Sequence, residues 1–156
     1  MTLRQLLRRR EVRLVTITGP GGVGKTSLAL QVAHGLRDAF QDGVFFISLA
    51  PVNDPTLIIP TIAQLLGVTE SPNRLLLDSL KDFLRNKQAL LLLDNFEQII
   101  SVAPLLTELL EDCASLQMLV TSRESLRLRG EHEFQLSPLA LPDTRARRAG
   151  AGILDW

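Results

Sequence analysis

Three short stretches carry side chains suited to phosphate chemistry. The first is GPGGVGKTS, Gly19 to Ser27, which holds the spacing GxxxxGKT. Glycines at this density let a backbone wrap an anion and aim its N–H groups inward. A helix beginning near Lys25 would add the positive end of its dipole. Gly19, Gly21, Gly22, Val23, Gly24, Lys25, Thr26 and Ser27 are therefore expected to line the phosphates of a nucleotide. Lys25 should reach the β- and γ-phosphates, and Thr26 should place its hydroxyl on Mg2+.

The second stretch is ALLLLDNFEQ. Asp94 ends an apolar run, which puts it at the carboxyl edge of a sheet beside the phosphate loop. There it can hold Mg2+ through water; the plainer alternative is a cap on the next helix. Asn95 occupies the position where a second acid is often seen, so Glu97 is the nearest candidate base. A glutamate there can equally serve a helix dipole. The third stretch is LVTSRESLRLRGE. Arg123 directly follows a strand and can distinguish triphosphate from diphosphate, with Thr121 and Ser122 adding hydrogen bonds. The alternative is a surface ion pair with Glu124 or Glu131. Arg127 and Arg129 are weaker candidates.

The elements around these residues must deliver them to one place. Continuous apolar runs predict buried strands at 12–18, 43–49, 88–94 and 117–122, with a fifth at 131–136. Between them, helical periodicity spans 25–40, with Leu28, Ala29, Val32, Ala33, Leu36 and Phe40 on one face. Asp54-Pro55 predicts a helix start and Gly67 its stop, with Pro60 causing a kink or late start. Further helices are predicted over 73–87, capped by Asn73, and over 97–113, which contains Pro104. Strands apolar throughout, alternating with helices, mean an α/β fold: a parallel sheet covered on both faces.

Composition narrows the rest. The 156 residues suffice for one domain with a sizeable core, and 46% hydrophobic with 22% charged content is ordinary for a globular chain. Zero net charge gives no argument for nucleic acid or membrane, and neither is expected as a direct partner of this segment. The arginine runs at 8–13 and 145–148 read as solvated. Lone Cys113, in a leucine-rich stretch, reads as a small buried hydrophobe in a reducing, cytoplasmic setting. His34 and His132 lack metal-ligand spacing. The first ten residues have no secretory h-region, and no apolar run approaches the roughly 18 residues that span a bilayer. Glu97 stands where a GTPase has glycine, and NKQA at 86–89 lacks the guanine-reading aspartate, so GTP is disfavoured. A small-molecule kinase is a minor possibility, because 145–148 form no convincing lid.

VRLVTITGPGGVGKTSLALQVA, LLLLDNFEQ and LVTSRESLRLRGEHEFQLSPL, in that order over roughly 12–139, resemble the NB-ARC branch of the STAND ATPases. The likeness is to bacterial members in AfsR-type and LuxR-type regulators. It implies a three-layer P-loop NTPase core with strand order 5-1-4-3-2. It also implies a switch closed with ADP and opened by ATP, slow Mg2+-dependent hydrolysis, and protein partners or self-association through the ATPase core. By matching position, Lys25 and Thr26 serve phosphate and Mg2+, Asp94 is the Walker B acid, and Arg123 the sensor. The expected organisation is a helix or linker over 1–11, the nucleotide-binding core over 12–139, and an irregular tail over 140–156. Family segments that hold adenine and close over it would lie outside this chain. The rival reading is a binding or interaction module without useful catalysis.

Overall fold

The computed structural model describes residues 1–137, so the predicted tail, the arginine run at 145–148 and the last residues of the predicted core lie outside the described residues. Five strands form the sheet: β1 Leu14–Thr18, β2 Val44–Ser48, β3 Leu90–Asp94, β4 Gln117–Ser122 and β5 Glu131–Gln135. All pair in parallel, in the order β2-β3-β4-β1-β5, which is the expected topology read from the other edge. β1, β3 and β4 are buried along their whole length, as continuous apolar runs require.

Helices cover both faces. α1 Leu3–Arg8 and α2 Lys25–Gly35 lie on one side, where Leu3, Leu7, Leu28 and Val32 pack against Val15, Ile17, Leu92 and Leu119. α3 Ile58–Leu66, α4 Leu76–Leu84 and α5 Pro104–Asp112 lie on the other, where Ile62, Leu84 and Leu109 pack against Ile47, Leu91, Leu93 and Val120. Among the described residues no helix is long and apolar enough to cross a membrane.

Several expected boundaries move, each for a local reason. The helix over 25–40 ends at Gly35 and gives way to a short 3-10 turn, Arg37–Ala39. Asp54 does cap the next element, accepting from the Thr56 N–H, but Pro55–Leu57 is 3-10 and α3 begins only at Ile58. Pro60 then falls in the first turn, where its missing N–H costs nothing, and Gly67 ends α3 with φ 78°. Asn73 caps nothing: it sits in the tight turn closed by Ser71 and Arg74, and α4 starts at Leu76. The single helix over 97–113 is two elements. Phe96–Val102 is a 3-10 segment kinked at Ile99 (φ −131°), and α5 restarts with Pro104 in its first turn.

The arginine run at 8–13 is not simply solvated. Arg13 Nε donates to the Leu116 carbonyl at 2.7 Å, and Nη2 donates to those of Leu110 (2.9 Å) and Cys113. A cation thus closes the C-terminal end of α5 onto the turn into β4. Arg10 donates to the Ala39 carbonyl at 3.1 Å and lies 5.8 Å from the Phe40 ring centroid. Gln117 at the start of β4 donates to the Leu7 and Val12 carbonyls at 2.9 and 2.7 Å, which ties α1 to the sheet. Cys113 is buried, as expected.

Replacing Arg13 by Met would strip three carbonyls of their charged donor, and the expected loss is about 2 kcal/mol in urea denaturation. Arg9→Met removes only an exposed contact to Glu11 at 3.9 Å, so its cost should stay within about 0.5 kcal/mol.

Candidate functional site

The carboxyl ends of β1, β3 and β4 meet at one edge of the sheet, and each is followed by one of the three chemical stretches. The loop after β1 turns into α2 at Gly24, whose φ of 98° is the left-handed region that favours glycine. Gly19 is needed for a different reason. A Cβ there would stand 2.2 Å from the Leu136 carbonyl oxygen, where the chain leaving β5 crosses the loop. The loop is therefore clamped between α2 and the exit of β5.

Lys25, only 7% exposed, donates from Nζ to the carbonyls of Gly19 (2.7 Å) and Pro20 (2.9 Å). Its ammonium therefore sits inside the ring of the loop. Burial lowers its pKa; Glu97 and Asp94 counter that, while Arg123 adds to it. Thr26, Val23 and Ser27 occupy the flanking positions, with Val23 buried in the core and Ser27 exposed.

Asp94 is 3% exposed, and its Oδ1 accepts two hydroxyls, Thr26 Oγ1 at 2.8 Å and Thr121 Oγ1 at 2.7 Å. One oxygen thus joins α2, β3 and β4. The side chain is engaged by these hydroxyls rather than by a cap of the following helix. Thr121 in turn accepts the Asn95 N–H at 2.9 Å. Asn95 has φ 68° and ψ 59°, a left-handed conformation that asparagine tolerates better than most residues. That reversal swings Glu97 back toward the loop.

Glu97 lies in the first turn of the 3-10 segment, and its Oε1 is buried without a hydrogen-bond partner among the described residues. With Gln98, Arg123 and Glu124 it lines an open cavity of about 600 Å³. Arg123 is exposed, and a Cβ on Gly21 would lie 3.1 Å from its Nη2, so the guanidinium reaches across the loop. Among the described residues it forms no ion pair with Glu124 or Glu131. Glu131 is occupied otherwise, accepting the Leu126 and Arg127 N–H groups at 2.8 and 2.9 Å. Ser122 accepts only a long bond from the Glu124 N–H, 3.4 Å.

Sequence reasoning missed one polar pair: Thr18 donates to Glu133 Oε2 at 2.6 Å. Both line a second cavity, about 470 Å³, on the β5 side of the loop. Only the sheet register, which sets β5 beside β1, brings Glu133 there. His34 and His132 are exposed, and among the described residues no three His, Cys, Asp or Glu side chains cluster as a metal site.

Residues 8–135 match the family described as AAA domain. Over 132 residues the chain is 39% identical to a Mycobacterium tuberculosis protein named as an HTH-type transcriptional regulator, a match covering 84% of this chain and 15% of that protein. The regulatory protein AfsR of Streptomyces coelicolor is 34% identical over 143 residues, covering 84% of this chain and 14% of that protein. The chain thus spans about 15% of the length of the curated relatives it matches. Among solved structures, the ORC2 protein of Aeropyrum pernix, in ADPNP–ADP complexes, shares the fold with TM-score 0.58 at 17% identity, over 80% of this chain and 41% of that chain. A STAND protein with a tetratricopeptide repeat sensor from Pyrococcus horikoshii does so with TM-score 0.51 at 16% identity, over 85% and 22%.

Thr121→Val keeps the shape of the side chain but strands the Asn95 N–H and removes one of the two hydroxyls on Asp94. The expected cost is about 1–3 kcal/mol in thermal or urea unfolding. A stability equal to wild type would mean the two bonds do not hold the β3 exit.

Proposed function

This chain belongs to the AAA-domain family, and from that premise we propose that it is the ATP/ADP-binding core of a regulatory protein. In this reading it is a slow Mg2+-dependent ATPase whose bound nucleotide sets the state of the protein it serves. The NB-ARC-like STAND branch, a core over 12–139 and a cytoplasmic setting belong to the same proposal. The observation that carries it is the shared oxygen of Asp94, which brings the hydroxyl of the phosphate-loop helix and the strand that Arg123 follows to one point.

The donor set fits Mg2+. Thr26 Oγ1 and Asp94 Oδ1 are hard oxygens 2.8 Å apart, beside a loop already holding the Lys25 ammonium. Those two residues would hold the ion, which when bound neutralises charge on the phosphates. The loop's N–H groups and Lys25 hold the phosphate chain in place. Arg123, reaching over Gly21, is placed to contact the terminal phosphate and report its loss. Glu97 Oε1, buried and unpartnered at the cavity, is free to accept a proton from water and orient it for attack. Asn95, two residues earlier, has no carboxylate to share that role, so turnover rests on Glu97.

Two measurements test this. In calorimetry, Lys25→Ala should weaken Mg2+–ATP binding by about 100-fold, or about 2.7 kcal/mol; unchanged affinity would refute the loop as the phosphate site. Glu97→Gln should leave binding intact and lower phosphate release by about 100-fold. Wild-type release no faster than the protein-free blank would favour a nucleotide-binding or interaction module without useful catalysis.

A further inference from the structure

The two edges of the sheet are built differently. β5, at one edge, carries Glu131, His132 and Glu133, charged or titratable side chains that oppose pairing with another strand. β2, at the other edge, reads VFFIS, and no charged residue occurs from Gly43 to Asn53. It has no proline within it and no bulge in its register with β3. The usual devices that blunt an edge are therefore missing from β2.

Among the described residues the backbone of β2 is also free on its outer side. Leu90 N donates to the Gly43 carbonyl, and Leu49 N donates to the Asp94 carbonyl. Odd-numbered residues thus face β3, so Val44, Phe46 and Ser48 turn their N–H and C=O groups to the open edge. Phe46 is the middle residue of the strand and stays 37% exposed. Its ring borders an open groove of about 670 Å³, shared with Leu30, His34, Arg37 and Phe40, between α2 and β2. Leu30 is itself 43% exposed.

We propose that β2 pairs antiparallel with β2 of a second copy of this chain, on a twofold axis through Phe46, making one ten-stranded sheet. The register follows from the free groups. With Phe46 opposite its own mate, Val44 lies opposite Ser48, and all three positions exchange hydrogen bonds across the axis. A twofold contact sets each residue against itself or its symmetry mate, so it tolerates no unbalanced charge. β2 satisfies that condition; a β5–β5 pair would set Glu133 and Glu131 against each other's copies. The two Phe46 rings would lie side by side on the α2 face and fill the mouths of the two grooves. The carboxyl edges of the two sheets would point in opposite directions, which leaves both phosphate loops open. The contact is thus separate from the nucleotide site and stands or falls without it.

Sedimentation equilibrium on the 17.3 kDa chain, with and without Mg2+–ATP, should show a dimer in both conditions, and Phe46→Lys should sediment as a folded monomer by circular dichroism. A wild-type monomer at all concentrations, or a Phe46→Lys dimer, would overturn the proposal. Should Phe46→Lys not fold, Phe46→Cys in a Cys113→Ser background decides. Opposed Cα atoms about 5.5 Å apart permit a disulfide, so mild oxidation should link two chains, and failure to link would refute the axis.

Discussion

Asp94 closes a strand buried over all five residues, and a carboxylate at 3% exposure must be hydrogen-bonded to remain there. The two donors it finds come from different elements. Thr26 stands one residue into α2, and Thr121 sits next to last in β4. The first requires the phosphate loop to deliver α2 at the correct height; the second requires β4 beside β3. Strand order, loop length and helix entry are thereby tied to one oxygen atom. Arg123 and Glu97 inherit their places from this junction, because each follows within three residues of a group bonded there.

The rest of the fold supports that edge from a distance. α1 packs Leu3 and Leu7 under the sheet on the α2 side, and Gln117 holds the turn that leads into β1. Arg13 fastens the end of α5 to the turn before β4. These contacts lie near the amino ends of the strands. They fix the start of β1 and β4, and the rigid parallel ladder carries that placement to the loop.

Much of this was legible in the residues because burial on both faces leaves a strong mark. LVTIT, LLLLD and QMLVTS are apolar enough to be read as central strands, and GxxxxGKT between a strand and a helix is a strong local signal. The lower-contrast features escaped. Asn73 has the chemistry of a cap, but the turn at 71–74 took it first. The periodicity over 97–113 continued through a kink, since a 3-10 segment and an α-helix present similar apolar spacing over one turn. Arg13 looked like part of a solvated basic run because its carbonyl partners are about a hundred residues away in sequence. Glu133 was invisible for the same reason: only the β1–β5 register puts it against Thr18.

In the proposed function the Asp94 carboxylate couples metal to nucleotide. Its most direct test is the ATP affinity of wild type and Asp94→Asn, each with and without Mg2+. Asparagine retains the oxygen that accepts from Thr26 and Thr121, so the fold should persist while the negative charge is lost. Mg2+ should strengthen ATP binding to wild type and have little effect on Asp94→Asn. An Asp94→Asn protein whose affinity rises with Mg2+ as much as wild type would contradict that coupling.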